Sequence, residues 1–415
     1  MSALAGIKVI ELAHERISLA GKLLGDMGAD VILVEPPGGA PMRAYPPFTT
    51  GWDDTKHSLH WWHFQTNKRS IELDLDAADD RELYRQLVKQ SDVLLESEPI
   101  NRLADLGVDW PDLQAANPAL VHAAITPYGR GDPASDLPTT DLTLLAEGGP
   151  VWSCGYDDHQ LPPVRGWGDQ AHNTACHFAA MSVLTALLYR EGGEARGQFI
   201  DISMVAALNV TTEAATYQWL VAGATVQRQT GRHASTRPSG ETQMRCLDGR
   251  YVNTGVPPRV PGEFAKLLAW LRTLNLEHQL PEAVFIEMGA NWDGPFDLSL
   301  IGRDDTVTAI FGAGREGLKL IAANTSAQDF FLGCQQAGLS VGAINSPEEA
   351  FELEHFKARG YQVEVYQDEL RRVVRYPGAP YQLPASPWKL ERTAPELNQH
   401  NEEIRKELSE GFTRQ

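Results

Sequence analysis

Ile7 to Leu12 alternates and is rich in branched side chains, so it reads as a strand. Ser18 to Met27 (SLAGKLLGDM) has the spacing of an amphipathic helix, and Val31 to Glu35 reads as a second strand. A β-α-β unit of this kind implies a parallel sheet with helices on its faces. The alternation continues with a strand at Ile71 to Leu75, a helix from about Asp79 to Lys89, and strands at Asp92 to Leu95 and Leu120 to Ile125. Further on, Phe178, Met181, Leu184, Leu187 and Leu188 fall three and four apart, the pattern of a long helix burying one face. After Asp201 the character changes. Met204 to Val221 is helical in pattern, residues 228–241 form a polar crossing, and CLDGRYV (246–252) carries an Asp-Gly hairpin signal. The next hundred residues are mostly short helices, including Gly262 to Trp270. The expected architecture is α/β. A large domain takes 1–205 together with 370–415, where a charged helix near 395–409 returns to it. A smaller α+β domain takes 225–345, and 206–224 and 346–369 connect them.

Composition narrows the function. The 415 residues include 36 basic and 55 acidic side chains, a formal charge of −19, which disfavours nucleic acid and anionic membrane surfaces as partners. An anionic ligand then needs a local cluster of cations. The 42% hydrophobic and 22% charged content is ordinary for a globular chain. Cys154, Cys176, Cys246 and Cys334 make no C-x-x-C pair, so the expected compartment is the reducing cytoplasm, without disulfides or a thiolate metal site. No secretory leader or membrane-spanning run is read in the sequence.

The candidate chemistry centres on RGWGDQ, Arg165 to Gln170. Asp169 stands at or just before a helix N-terminus, where the dipole favours the ionised carboxylate by roughly 0.3–1 kcal/mol. It is either a plain helix cap or an approachable nucleophile. Gly166 and Gly168, lacking a Cβ, favour approach by another molecule. The adjacent cations of Asn67-Lys68-Arg69-Ser70 are either a phosphate site or solvated surface. His60 and His63 have no carboxylate or cysteine at ligand spacing and read as packing residues; no metal site is expected. The loop AHERIS after the first strand lacks the glycines a dinucleotide pyrophosphate needs. GAGREG at Gly312 to Gly317 fits G-x-G-x-x-G, yet reads as a Gly-rich helix start after a possible short strand, TVTAIF. There is no G-x-S-x-G elbow.

Four ordered segments, GIKVIELAHERISLAGKLLGDMGADVILVEPPGG, NKRSIELDL, PPVRGWGDQ…REGGEARGQFIDISM and APELNQHNEEI, resemble the class III CoA-transferases, the family of formyl-CoA transferase and the carnitine and bile-acid CoA-transferases. The resemblance covers nearly the whole chain. It implies a Rossmann-like domain completed by the C-terminal segment, a small domain and an interlocked homodimer. Coenzyme A is the implied co-substrate, exchanged between an acyl-CoA and a carboxylic acid acceptor, with no metal. The Gly168-Asp169 step matches the family's nucleophile, and Asp141, seven positions before Gly148-Gly149, matches its acidic residue. Backbone N–H groups near Gly168 and Gly148 are expected to stabilise oxyanions. The CoA site is implied at Asn67, Lys68, Arg69 and Ser70, with Arg43, Ser97 and Arg102 as further contacts. Arg16 replaces the Gln that formyl-CoA transferase carries after its first strand. With His14 and Thr140 it is expected to meet substrate, the alternative being an Arg tied to a surface carboxylate. Glu96-Ser97-Glu98 departs from the family's E-N-F, and Asp105 replaces an Arg. Thr140 stands where a racemase of this fold has its base, which weighs against α-methylacyl-CoA racemase chemistry. A non-catalytic CoA-binding protein and an NAD(P) oxidoreductase are the other readings.

Overall fold

The computed structural model describes residues 2–49, 51, 57–194, 196–255, 257–294 and 296–411. The chain divides into two compact units. The first takes residues 1–151, 166–216 and 353–415; the second takes 152–165 and 217–352.

In the first unit the elements run β1 (Lys8–Leu12), α1 (Ser18–Asp26), β2 (Asp30–Glu35), α2 (Leu59–Phe64), β3 (Lys68–Glu72), α3 (Ala78–Lys89), β4 (Val93–Glu96), α4 (Arg102–Asp105), α5 (Trp110–Ala116) and β5 (Val121–Thr126). They continue with α6 (Asp141–Gly148), α7 (Gln170–Tyr189), β6 (Phe199–Ser203) and α8 (Met204–Val210). Six parallel strands stand in the order β3-β2-β1-β4-β5-β6, with Ile10 paired to Ile32 on one side and Leu94 on the other. Because side chains alternate across a strand, the branched runs feed two cores. Val9, Val31, Val93, Leu95, Val121 and Ile125 point to one face, where α1 and α7 cover them. Ile10, Leu12, Ile32, Val34, Ile71 and Leu94 point to the other, under α3 and α5.

The C-terminal stretch supplies a hairpin, β12 (Gln362–Gln367) with β13 (Arg372–Pro377), and a last helix, α16 (Asn401–Glu410). Ile404 of α16 is fully buried in the second face's core. After the second of the first unit's three stretches, α9 (Glu213–Ala222) leads into the second unit.

The second unit holds the hairpin β7 (Gln227–Gln229) and β8 (Arg232–Ser235), and an antiparallel sheet of β9 (Gln243–Arg245), β10 (Tyr251–Thr254) and β11 (Val341–Ala343). The turn at Leu247–Arg250 joins β9 to β10, as the Asp-Gly signal implies. Its helices are α10 (Pro261–Thr273), α11 (Ala283–Ala290), α12 (Asp305–Asn324), α13 (Ala327–Ala337) and, at its end, α14 (Pro347–Phe351); α15 (Glu354–Ala358) begins the return to the first unit. GAGREG is neither a strand-to-helix loop nor a helix start: it lies in the middle of α12, which Asp304 caps by accepting from Val307 N. A Cβ on Gly314 would stand 3.1 Å from the Phe264 ring, and one on Gly317 3.0 Å from Ile286. These glycines serve close helix packing. Among the described residues no helix is long and apolar enough to cross a membrane.

Candidate active site

Open parallel sheets bind ligands beyond the carboxyl ends of their strands. There, in the first unit, the loop after β1 carries His14, Glu15 and Arg16, and the starts of α6 and α7 meet. Asp169 occupies the N-cap position of α7, but its side chain takes no cap bond from that helix. Asp141 does the capping instead. Its Oδ1 accepts from Ala171 N at 2.7 Å and from His172 N at 3.4 Å. The α7 N–H groups are thereby met by a carboxylate from α6, and the Asp169 side chain stays 44% exposed. Gly168, before it, has φ 103°, a left-handed value that a side chain rarely adopts, and a Cβ there would point into open space. Trp167 is 98% exposed.

His60, read from sequence as a packing residue, faces the nucleophile candidate: its Nε2 lies 3.6 Å from Asp169 Oδ2. It sits on α2, which Ser58 caps and which buries Trp61 and Trp62. The Tyr45 ring packs edge-on against His60 at 5.4 Å, and the Tyr45 hydroxyl donates to Glu15 Oε2. Burial and the bond to Glu15 push that phenol up to about 12. Asp141, Asp169 and His172 each bring a ligand-type atom within 4.8 Å of the others. One of the Asp141 oxygens is already engaged by the helix, so the cluster reads as a helix junction. Burial holds the His172 imidazole below its usual range, against the pull of Asp141, Glu15 and Asp169.

Arg16 is half-buried, and its one side-chain hydrogen bond among the described residues is to Thr139 Oγ1 at 3.2 Å. His172 and Tyr45 both feel the charges of Arg16 and Asp169, which places these two in one electrostatic neighbourhood. His14 Nδ1 accepts from Arg16 N at 3.2 Å. Burial, and then Arg16, push its imidazole down to about 4, so it is neutral at pH 7. Thr140 caps α6 through a reciprocal pair with Thr143. Gly148 brings α6 against Leu208 of α8, 2.6 Å from where its Cβ would be.

The residues expected to take CoA phosphates are placed differently. Lys68 is fully buried in β3, donating to Glu11 Oε1 (2.8 Å), Gln65 Oε1 (2.7 Å) and Ser18 O (2.9 Å). Burial pushes the Glu11 carboxyl up and the Lys68 ammonium down, while their mutual attraction opposes both shifts. Arg69 is bound to Asp30, Glu403 and Glu407, and Ser70 Oγ to Glu35. The Asn67 side chain ties Asp26 to the backbone of Lys389, Glu391 and Arg392. As placed, the Asn67, Arg69 and Ser70 side chains fasten the C-terminal segment to the sheet, while Lys68 is held inside the large unit by Glu11, Gln65 and Ser18. Arg43 likewise pairs with Glu35, 3.8 Å above the Trp61 ring, and Ser97 Oγ donates to Ile125 O. Arg102 differs: its bidentate pair with Asp76 is exposed.

A cavity of about 510 Å³ adjoins Asn67 and Arg69, at the amino ends of β1 to β3. Its cations Lys8, Arg69, Lys389 and Arg392 are outnumbered by Asp26, Asp30, Glu391, Glu403, Glu407 and Glu410, a poor setting for a polyanion.

Residues 4–401 match the profile of CoA-transferase family III. The chain belongs to this family. It is 26% identical over 405 residues to the succinyl-CoA:(R)-benzylsuccinate CoA-transferase subunit BbsE of Thauera aromatica, covering 96% of this chain and 92% of that one. To the succinate–glutarate CoA-transferase of Agrobacterium fabrum it is 27% identical over 412 residues, covering 98% and 95%. A CAIB/BAIF family protein from Brucella suis has the same fold, with a TM-score of 0.77, 24% identity, and coverage of 98% of this chain and 99% of that one. Membership of the family makes the chain a CoA-transferase that works on CoA thioesters.

Proposed function

We propose that this family III CoA-transferase moves coenzyme A between two organic acids through a covalent aspartyl-CoA at Asp169, with a dicarboxylic thioester of the succinyl-CoA type as donor. The observation that carries the reading is the division of labour at the start of α7: Asp141 meets the helix N–H groups, and the Asp169 carboxylate is left accessible. An Asp169 oxygen attacks the thioester carbon, the C–S bond breaks, and CoA leaves as thiolate. The thiolate then attacks Cγ of Asp169, the donor acid leaves as carboxylate, and the thioester's activation is kept in aspartyl-CoA. The acceptor carboxylate reverses these steps, and no net proton is exchanged.

Arg16 is assigned to the far carboxylate of the dicarboxylic substrate. A half-buried guanidinium with a hydroxyl as its side-chain partner has donors to offer, and a charge-assisted pair uses them. The donor preference rests on the succinyl-CoA and succinate named for the two relatives. For CoA itself, Arg102 is the phosphate contact that remains, since an exposed pair is readily exchanged. A homodimer, interlocked as in the family, would cover Trp167 and the apolar outer side of α7, and the cytoplasm is the expected compartment.

The test is steady-state kinetics with succinyl-CoA and a panel of mono- and dicarboxylic acceptors. Parallel lines in double-reciprocal plots and a loss of at least about 1,000-fold in kcat for Asp169→Asn are expected. Intersecting lines, or an Asn variant at near wild-type rate, would contradict the reading.

A further inference from the structure

Transfer through aspartyl-CoA passes twice through a tetrahedral adduct at Cγ of Asp169. When one carboxylate oxygen is bonded to the acyl group and thiolate adds to Cγ, the other oxygen takes the negative charge. His60 faces such an oxygen: its Nε2 stands 3.6 Å from Oδ2. Its second nitrogen, Nδ1, is buried and has no hydrogen-bond partner among the described residues. An orphaned buried N–H is rarer than an orphaned lone pair, which leaves Nδ1 as the bare nitrogen and puts the proton on Nε2, toward Asp169. The ring is held in that direction by Tyr45, edge-on at 5.4 Å, and by Phe64 at 4.7 Å, so the donor is oriented before reaction.

We propose that His60 is the oxyanion donor for the aspartyl carbon, a role that rests on Asp169 being the nucleophile. The thiolate sulfur bonds to Cγ, the carbonyl electron pair moves onto Oδ2, and the Nε2–H to Oδ2 separation closes to hydrogen-bond length. Collapse restores the carbonyl and expels the donor carboxylate, and the proton stays on Nε2 throughout. A 3.6 Å separation is too long for a hydrogen bond to the resting carboxylate. The interaction is therefore gained in the transition state, which is where it accelerates the reaction.

The test is rapid-quench labelling with succinyl-CoA and no acceptor, following by mass spectrometry the rate at which CoA appears on the Asp169 peptide. Wild type is compared with His60→Phe, which keeps a ring against Tyr45 and Phe64 but has no donor, and with His60→Gln, whose amide N–H can donate. Phe is expected to slow labelling roughly 100- to 1,000-fold, with half-saturating succinyl-CoA and melting temperature near wild type, and Gln to recover at least about tenfold of that loss. Should the Phe variant fail to fold, His60→Leu against His60→Gln gives the same comparison. A Phe variant labelling within about threefold of wild type, or a Gln variant no faster than Phe or Leu, overturns the assignment. If wild type itself transfers CoA without labelling Asp169, the nucleophile reading falls and takes this one with it. If wild type labels and the Phe variant labels as fast, only His60 is lost.

Discussion

At the scale of single residues, a carboxylate at a helix N-cap ordinarily spends itself on the helix; Asp169 does not, because Asp141 reaches across from α6 to do so. Asp141→Ala is expected to lower stability by about 0.5–2 kcal/mol, the usual worth of a cap. It should also reduce kcat at least about tenfold with little change in KM, since the α7 start would no longer be fixed. Asp141→Asn keeps an accepting oxygen and should recover most of the stability in denaturant titrations. Arg16→Gln should raise KM for a dicarboxylic acceptor and leave a monocarboxylic one unaffected; equal effects on both would remove Arg16 from substrate recognition. Lys68→Met separates two roles. A phosphate ligand would show as a raised KM for acyl-CoA in a stable protein, whereas the buried pair predicts a loss of roughly 3–5 kcal/mol, because Glu11 is left uncompensated. The Gly-Asp step before a long apolar run made the position of Asp169 at a helix start legible in the sequence. The partnership of Asp141 with Ala171, thirty residues apart, was not, and neither was that of Lys68 with Glu11, because both pairs are set by tertiary packing.

At the scale of elements, α7 shows how periodicity finds a helix and only part of its buried face. Of the apolar residues at helical spacing, Leu187 is buried and Phe178 and Leu184 pack against the core, yet Met181 and Leu188 are exposed, and most of the side that packs into the core is small: Ala171, Ala175, Cys176, Ala179, Val183 and Ala186. Small residues let the helix lie close to α1 and the sheet, and a reading that weights large apolar side chains looks past them. The outer Met181, Leu188 and Tyr189 are then candidates for burial by a second chain. Met181→Asp with Leu188→Asp should shift the protein toward monomer in light scattering, and an unchanged mass would exclude this face from the dimer. On α2, burial, with Lys22 and His60 nearby, pushes the His63 imidazole down to about 4. The folded state thus resists a proton that the unfolded chain accepts from its ordinary value of about 6.5 downward. Stability supplied by neutral His63 is complete above that value and is lost as pH falls toward 4. Melting temperatures from pH 7 to 4.5 should drop less steeply in His63→Gln than in wild type.

At the scale of the whole chain, alternation with a period of two carried most of the large unit. It put branched side chains on both faces of each strand, and both faces proved to be cores. What it could not supply was the means by which the last sixty-odd residues return. That junction is built from Arg69 with Glu403 and Glu407, and from Ile404 in the core, contacts more than three hundred residues apart in sequence. Ile404→Ala is expected to lower the stability of the whole protein by about 2–5 kcal/mol, measured by denaturant unfolding; a loss near zero would mean that α16 is dispensable to the sheet. The central claim is that the acyl-CoA reacts with Asp169 and with no other group. It is tested most directly by incubating the protein with succinyl-CoA and hydroxylamine and mapping the product by mass spectrometry. A hydroxamate at Asp169 that is absent without thioester is the expected product; transfer that proceeds while Asp169 is recovered unmodified, or a hydroxamate at another side chain, would contradict a nucleophilic Asp169.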